Sequence, residues 1–270
     1  PLSAPGADGD KVHPPWPKLL IATGRQTVAL SMAIKRASAG KTFTIQIQNP
    51  ANSLSRFDLV VVPRHDEITG TNVIVTEGAL HRVTSERLAR EAERFSPLLA
   101  SLPRPLVAVL VGGSNRQYRF TRAGAQRLAY QLQRLVRQQG VGLAVTMSRR
   151  TGEENEHRLR DALSADDVYI WDGNGDNPYF GILGLCDTIV VTSDSVSMVS
   201  EACATGKPVH VFYLDGGSEK FRRFHRNFFQ REITRPFTGE IESWSYKTLD
   251  DTERVAREIH KRMRQSVTSD

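Results

Sequence analysis

The sequence has few cysteines and no long apolar segment. Two of its 270 residues are cysteines, Cys186 and Cys203, and both stand among apolar neighbours, which predicts buried thiols and excludes a disulfide framework. No apolar run approaches the ~18 residues that a membrane-spanning helix needs, and no secretory signal pattern is visible. We therefore expect a globular cytoplasmic protein without a transmembrane helix.

Several motifs that carry chemistry are also missing. The seven histidines are scattered without the paired spacing of metal ligands. The sequence contains no P-loop lysine motif and no Gly-x-Ser-x-Gly nucleophile motif. Asp172 and Asp176 lie in an acidic turn that could hold a divalent ion, but turn-forming carboxylates are commoner. We expect neither a metal nor a cofactor.

The excess of positive charge is small and spread out. The 36 basic and 30 acidic residues give a net charge of +6. A nucleic-acid-binding protein usually shows a denser basic stripe or a reader motif, so we expect no nucleic-acid partner. An anionic small ligand or peripheral contact with an anionic membrane, such as the inner face of the cell membrane, stays compatible with this charge.

The most informative stretch runs from Asp187 to Phe212. Asp187–Val191 is rich in β-formers and predicts a buried strand. Thr192–Ser195 then offers side chains that cap a helix, which extends to about Thr205 and ends at a glycine followed by a proline. Val209–Phe212 predicts the next strand. A helix therefore begins at the carboxyl end of a strand, where open α/β sheets bind anionic ligands.

Ser197 and Glu201 lie four residues apart on this predicted helix and so share one face. The helix N-terminus suits a diphosphate, and the Glu201 carboxylate suits the two hydroxyls of a ribose. The alternative is an ordinary capped helix with an exposed glutamate.

The order of predicted strands and helices indicates an α/β fold with parallel sheets. The prolines at 103 and 105 place the domain boundary after Leu102. We predict an N-terminal α/β domain over residues 1–102, incomplete at its start, and a C-terminal nucleotide-binding domain over residues 103–249. A charged C-terminal helix is predicted over residues 250–266.

Four loops follow successive strands of the second half and should converge at one edge of the sheet. They supply glycines, which allow close approach of a phosphate, and arginines, which bind phosphate oxygens. The loops fit either a phosphorylated ligand or an inert α/β scaffold. The predicted ligand-binding residues are Gly112, Gly113, Ser114, Asn115, Ser148, Arg149, Asn177, Ser193, Asp194, Ser195, Ser197 and Glu201.

Two residues of the first half are candidates for catalysis. His65 follows a buried strand, where a general base would sit, although a histidine in a surface loop is the commoner arrangement. Arg25 follows the first strand and is a second candidate. The basic, aromatic helix predicted over Lys220–Gln230 fits a membrane-binding face, but its phenylalanine spacing favours core packing.

The motifs TSDSVSMVSEACATGKPVHVF, VAVLVGGSNR, VTMSRRT and YIWDGNGDNPYFGIL together resemble one family. It comprises bacterial relatives of the plant elongated-mitochondria fission protein, described as nucleoside-diphosphate-sugar epimerases. IATGRQTV, FDLVVVPRHD and RPFTG resemble the same pattern. The family in turn is similar to B-type glycosyltransferases and to UDP-N-acetylglucosamine 2-epimerases.

The resemblance implies two Rossmann-like domains with a nucleotide-sugar partner bound mainly by the C-terminal one, in an interdomain cleft. It also implies that the helix over residues 250–266 packs back on the first domain. It places Gly112, Gly113 and Ser114 near the diphosphate and Glu201 near the ribose. It implies either a glycosyltransferase or sugar epimerase, or a non-catalytic adaptor that recruits partners at a membrane surface. Members begin with a strand and an Asp-Gly-Arg-Pro-Gly-His turn that this chain lacks, which is why we expect the first domain to be incomplete.

Overall fold

The computed structural model describes residues 12–267 and divides into two compact units. Unit 1 comprises the residues up to Ala79 together with those from Asp251 onward, and unit 2 comprises Leu80–Asp250. Each unit contains a parallel sheet and helices, which confirms the predicted α/β class. Within residues 12–267, no helix has both the length and the apolar character needed to cross a bilayer.

The secondary structure follows the predicted order closely. The strands are β1 (Leu19–Thr23), β2 (Phe43–Ile47), β3 (Leu59–Pro63), β4 (Val73–Thr76), β5 (Leu106–Val111), β6 (Tyr118–Arg119), β7 (Gly142–Met147), β8 (Val168–Ile170), β9 (Thr188–Thr192), β10 (Val209–Phe212), β11 (Asp215–Gly216) and β12 (Thr234–Pro236). The helices are α1 (Val28–Ala37), α2 (Ser85–Leu99), α3 (Arg122–Gln139), α4 (Glu153–Ala162), α5 (Tyr179–Leu185), α6 (Val196–Cys203), α7 (Glu219–Gln230) and α8 (Asp251–Val267).

Unit 1 is built on a four-stranded parallel sheet in the order β1-β2-β3-β4. Helix α8 is tied to the β4 end of this sheet by side chains. The buried carboxylate of Asp251 accepts hydrogen bonds from the backbone N–H groups of Glu77 (2.7 Å) and Gly78 (3.1 Å). The Arg254 guanidinium donates to the carbonyl oxygen of Val75. The C-terminal helix therefore belongs to the same unit as β1–β4.

Unit 2 is built on a six-stranded parallel sheet in the order β12-β10-β9-β5-β7-β8. Its central strands are continuous apolar runs, because helices cover both faces of the sheet. Helices α3 and α4 pack on one face around Leu128, Leu132 and Leu159. Helices α5, α6 and α7 pack on the other, around Ile182 and Val199. The strands β6 and β11 form a separate antiparallel pair.

The boundary between the units lies between Ala79 and Leu80, not after Leu102 as the two prolines predicted. Helix α2 packs closely on α5, where glycines let the two helices approach. A Cβ atom added to Gly184 would lie 2.6 Å from the Leu88 carbonyl oxygen, and one added to Gly181 would lie 2.7 Å from the Phe95 side chain. This contact assigns α2 to unit 2, so Pro103 and Pro105 lie in a loop within that unit.

The aromatic face of α7 is part of the core. Phe224 and Phe228 are buried, whereas Arg222 and Arg226 are exposed. This arrangement agrees with the core interpretation of the phenylalanine spacing, while Phe229 near the end of the helix is 52 % exposed. Cys186 and Cys203 are both buried and free, as predicted.

A buried histidine lies on β10, beside the edge strand of the same sheet. His210 is 1 % exposed, and its Nε2 accepts a hydrogen bond of 3.2 Å from the backbone N–H of Glu242. The rings of Trp244 and Phe237 pack edge-on against the imidazole. Burial lowers the pKa of His210 from 6.5 to about 4, with the nearby Glu242 opposing this shift and Arg235 adding to it. The folded protein therefore holds this side chain neutral.

We expect the free energy of unfolding to fall as pH falls from about 6.5 toward 4. Between these values the unfolded chain binds a proton at His210 that the folded chain does not, so stability rises with pH. The contribution reaches about 3 kcal/mol across the window. Urea unfolding of wild type, His210→Gln and His157→Gln at pH 7 and pH 5 measures it, since a glutamine side chain retains an acceptor at the buried position and His157 is exposed. An unchanged pH dependence in His210→Gln contradicts this assignment.

Candidate functional site

The order in which the chain adds strands to the six-stranded parallel sheet reverses between β5 and β9. From β5 the chain continues through α3 to β7 on one side, whereas α5 later carries it back from β8 to β9 on the other. Open parallel sheets bind ligands in the crevice at the carboxyl ends of such strands. The loops Gly112–Asn115 and Thr192–Ser195 leave β5 and β9 at this point, so the structure brings these predicted site residues together.

Asp194 is the centre of the contact between the two loops. Its side chain is fully buried and forms an ion pair of 2.7 Å with the half-exposed Arg150 guanidinium. Its carboxylate also accepts hydrogen bonds from the backbone N–H of Gly113 (3.0 Å) and the hydroxyl of Thr192 (2.6 Å). Asp194 was predicted to bind ligand, but these contacts give it a structural role, because its buried carboxylate already accepts from three donors within the protein.

The two glycines of the first loop are required by neighbouring protein atoms. A Cβ atom added to Gly112 would lie 2.2 Å from Oδ1 of Asp194. One added to Gly113 would lie 1.9 Å from the carbonyl oxygen of Arg150. Close packing against Asp194 and the Arg150 backbone therefore explains both glycines, without the approach of a phosphate.

The backbone N–H groups of the same loop are all occupied. Those of Gly112 and Gly113 donate to Thr192 and Asp194, and that of Ser114 donates to the Arg150 carbonyl oxygen at 3.0 Å. The Asn115 N–H donates to the carbonyl oxygen of Tyr118. The expected contribution of these amides to phosphate binding is therefore not supported by the geometry. The loop is held in place by these hydrogen bonds within the protein.

The side chains of this loop also serve the fold. Ser114 Oγ accepts a hydrogen bond from the Phe120 N–H at 2.9 Å. Asn115 donates to the Asp194 carbonyl oxygen through Nδ2 and accepts the Tyr118 N–H through Oδ1. These bonds hold the first loop against the second.

The two arginines after β7 have different environments. Arg150 is paired with Asp194, whereas Arg149 is exposed and has no hydrogen bond or ion pair within residues 12–267. Ser148 caps this turn, because its Oγ accepts the Arg150 N–H at 3.2 Å. A ligand-binding role for Arg149 stays a prediction, and Ser148 caps the turn that carries this arginine.

Helix α6 begins at the carboxyl edge of the sheet, directly after β9. Ser195 is its N-cap, and the Ser195 Oγ accepts the Met198 N–H at 3.3 Å. The side chain of Ser197 is exposed in the first turn. Ser193 is fully buried instead, where its Oγ accepts the Leu214 N–H and its carbonyl oxygen lies 2.9 Å from His225 Nε2. Of these three serines, Ser197 is therefore the one whose hydroxyl points to solvent.

Glu201 lies one and a half turns into α6 and is half-buried. Its Oε2 accepts a hydrogen bond of 2.7 Å from the hydroxyl of Tyr179 on α5. Burial raises the pKa of Glu201 above its ordinary value. The Tyr179 hydroxyl and the charges of Arg87 and Arg82 oppose this shift but do not cancel it. Burial and the negative charge of Glu201 raise the pKa of Tyr179, so this hydroxyl stays a donor. The carboxylate is held in place through one oxygen.

A family model described as "Mitochondrial fission ELM1" matches residues 2–263, nearly the whole chain. The chain belongs to the ELM1 family. It is 34% identical to the mitochondrial fission protein ELM1 of Arabidopsis thaliana over 92% of its own length and 64% of that protein. It is 27% identical to an uncharacterized protein, RP120, of Rickettsia prowazekii, over 90% of this chain and 79% of that protein. The chain thus spans less than two thirds of the Arabidopsis relative.

Solved structures show the same fold at low sequence identity. The UDP-GlcNAc 2-epimerase of Neisseria meningitidis bound to UDP-GlcNAc has a TM-score of 0.52 at 15% identity, with 91% of this chain and 76% of that chain covered. The epimerase of Methanocaldococcus jannaschii has a TM-score of 0.51 at 13%, covering 91% and 77%. MurG of Acinetobacter baumannii has a TM-score of 0.50 at 14%, covering 90% and 74%. This ELM1-family chain has the glycosyltransferase-like and epimerase-like fold that its motifs predicted.

The acidic turn of the ELM1-family chain is a local structure. Asp172 accepts hydrogen bonds from the N–H and the side-chain amide of Asn174, and Asp176 pairs with Arg94. Asn177 is exposed, and its Oδ1 accepts the Tyr179 N–H at the start of α5. Within residues 12–267, no group of three or more acidic, histidine or cysteine side chains is arranged to hold a metal ion.

The two catalytic candidates lie in unit 1. His65 is buried at 5 % exposure, with its Nε2 3.9 Å from Oδ1 of Asp66, in the short turn after β3. Arg25 is exposed in the turn after β1. The alternative of a surface histidine is therefore wrong. A catalytic role for either residue stays a prediction.

The sequence reasoning missed Tyr179 and Arg87 as neighbours of Glu201. Tyr179 stands 22 positions before Glu201, and Arg87 belongs to a helix that the sequence assigned to the other domain. The available signal was the pair Gly181 and Gly184 on α5, which favours close contact with another helix and so points to α2.

Proposed function

We propose that unit 2 of this ELM1-family chain binds a nucleoside diphosphate sugar at the carboxyl edge of its six-stranded sheet. We further propose that the chain uses this ligand in glycosyl transfer or sugar epimerisation. The observation behind the proposal is the position of α6. This helix follows β9, where the strand order of the sheet reverses, and its sixth residue is Glu201.

The start of α6 suits the diphosphate. The first N–H groups of a helix have no partner within the helix, and the helix dipole favours negative charge there. The exposed Ser197 hydroxyl adds a donor. Arg149 presents an unpaired guanidinium from the turn after β7, and arginine binds phosphate oxygens in a bidentate manner. These groups compensate the charge of a diphosphate, which is also the leaving group in glycosyl transfer.

Glu201 suits the ribose of the same ligand. From Val196 to Glu201 the helix rises by about 7.5 Å, so the carboxylate lies deeper along α6 than the phosphate site. Its Oε2 is held by Tyr179, and Oε1 makes no hydrogen bond within the described residues. A carboxylate oxygen is a pure acceptor and matches the hydroxyl donors of a sugar.

The comparisons support the ligand class. The Neisseria structure with the same fold contains UDP-GlcNAc, and the fold also occurs in MurG. Because these identities are 15% and 14%, they support the fold directly and the ligand only by analogy.

Ligand binding is tested by thermal and urea unfolding with UDP, GDP, ADP and their sugar derivatives. A ligand of the folded state stabilises it by about 2.7 kcal/mol at a hundredfold excess over its dissociation constant. We expect Glu201→Gln to weaken binding about tenfold, since a neutral acceptor replaces a charged one. Glu154→Gln is the matched control, because this glutamate side chain is 88 % exposed.

The outcomes separate the two functions that the sequence left open. Binding that depends on Glu201, followed by release of the nucleoside diphosphate or interconversion of the sugar, supports the enzyme. If the folded chain is stabilised by none of these ligands, the nucleotide-sugar proposal fails and the adaptor function is favoured.

A further inference from the structure

Arg87 occupies an unusual position in unit 2. It lies in the first turn of α2, and its guanidinium carbon stacks 3.6 Å above the centre of the Phe180 ring on α5. Phe180 packs edge-on against Tyr179, whose hydroxyl binds Glu201. The positive charge of Arg87 opposes the rise that burial causes in the pKa of Glu201. Arg87, Phe180, Tyr179 and Glu201 therefore form one continuous group, which we call the Arg87–Glu201 cluster.

The donors of Arg87 are not used by the protein. Its Nε is buried and has no hydrogen-bond partner, and the described residues contain no hydrogen bond or ion pair to its guanidinium. The next arginines on α2 differ, since Arg90 pairs with Glu91 and Arg94 pairs with Asp176. A buried donor without a partner is unfavourable by roughly 1–3 kcal/mol. The planar guanidinium is fixed by stacking and is therefore pre-organised to donate to a further acceptor.

Arg87 and Glu201 have complementary hydrogen-bonding capacities. The guanidinium only donates, and the carboxylate only accepts. A hydroxyl group does both, so two adjacent hydroxyls can donate to Glu201 and at the same time accept from Arg87. A carboxylate alone does not use the acceptor capacity of a hydroxyl. The ligand feature that matches the pair is a vicinal diol.

We propose that Arg87 is a ligand-binding residue that donates to the 2′ and 3′ oxygens of a ribose whose hydroxyls donate to Glu201. The Arg87–Glu201 cluster thereby selects ribonucleoside over 2′-deoxyribonucleoside diphosphates. This inference rests on the proposed function, because it assumes that the ribose lies at Glu201.

The experiment compares dissociation constants for matched pairs of ligands, namely UDP and 2′-deoxy-UDP, GDP and 2′-deoxy-GDP, and ADP and 2′-deoxy-ADP. Inorganic pyrophosphate serves as a ligand without a ribose. The variants are Arg87→Met, which keeps an apolar stem on Phe180, and Arg87→Lys, which keeps the charge without the planar fork. Arg90→Gln, whose side chain is 68 % exposed, is the matched control. The thermal midpoint without ligand reports whether each variant is folded.

We expect the wild type to bind the ribonucleotide at least tenfold more tightly than its deoxy analogue. In Arg87→Met this preference should fall to threefold or less, with pyrophosphate binding unchanged. Arg87→Lys should also lose most of the preference, because a charge placed near Glu201 does not replace the fork. Arg90→Gln should behave as the wild type.

A folded Arg87→Met that keeps the wild-type preference overturns the inference while leaving the proposed function intact, provided that Glu201→Gln still weakens binding. Retention of the preference in Arg87→Lys shows that a positive charge at this position is sufficient, which overturns recognition by the planar guanidinium fork. If no nucleotide binds to the wild type, the proposed function fails, and this inference fails with it.

Discussion

Replacement of Gly113 by alanine is expected to lower the free energy of unfolding by about 3 kcal/mol or more. The added Cβ would lie 1.9 Å from the carbonyl oxygen of Arg150, 2.1 Å from its carbonyl carbon and 2.4 Å from the Thr151 nitrogen. These are backbone atoms just after the end of β7, so no side-chain rotation relieves the overlap. The loops after β5 and β7 would have to separate, which also disturbs the Arg150–Asp194 pair.

Gly124→Ala is the matched control for Gly113→Ala. Gly124 is buried in α3, and an added Cβ would meet Thr121 Oγ1 at 3.4 Å and the Phe120 ring at 3.6 Å. Because alanine is a better helix former than glycine by up to about 1 kcal/mol, this change should be neutral or stabilising. Urea unfolding measures both variants. A Gly113→Ala protein as stable as the wild type would show that the two loops do not pack as closely as described.

Asp194→Ala is expected to lower the free energy of unfolding by about 2–3 kcal/mol. The change removes the buried acceptor for Gly113 and Thr192 and the partner of Arg150. The Arg150 side chain is 46 % exposed and can be hydrated after the change, so the loss is smaller than for a pair that is buried on both sides.

A double-mutant cycle with Gly112→Ala tests the role of Asp194 directly. The three atoms nearest to a Cβ at Gly112 all belong to the Asp194 carboxylate, at 2.2 to 2.6 Å. Gly112→Ala should therefore be strongly destabilising in the wild type and much less so in Asp194→Ala, with a coupling energy of about 1–3 kcal/mol. Urea unfolding of the four proteins measures this coupling. If the losses of unfolding free energy in the two single variants simply add in the double variant, the close contact between Gly112 and the Asp194 carboxylate is contradicted.

The hydrogen bonds within the loops of unit 2 limit which backbone groups are open to a ligand. The backbone N–H groups of Gly112–Asn115 donate to Thr192, Asp194, Arg150 and Tyr118. The ligand contacts that we propose come from α6, Arg149, Glu201 and Arg87, and the variants of Glu201 and Arg87 test them separately from stability.

Much of the fold was predictable from local sequence. The stretch Asp187–Val191 predicted β9, and the polar turn Thr192–Ser195 predicted the start of α6; the structure shows that Ser195 is the cap. Strand and helix periodicities, caps and glycine stops depend on a few neighbouring residues. They can therefore be predicted without the tertiary structure. The position of Glu201 on the same helix face as Ser197 follows from the same helical geometry.

The sequence by itself therefore determined the α/β class, the order of the elements, and the helix that carries Ser197 and Glu201. Only the tertiary structure decided that α2 belongs to unit 2, that Arg150 binds Asp194 while Arg149 stays unpaired, that Tyr179 binds Glu201, and that Arg87 stacks on Phe180. These contacts join residues 22 to 93 positions apart. Local propensity carries no information at such separations, because packing of α2 on α5 and of one loop on another selects the partners.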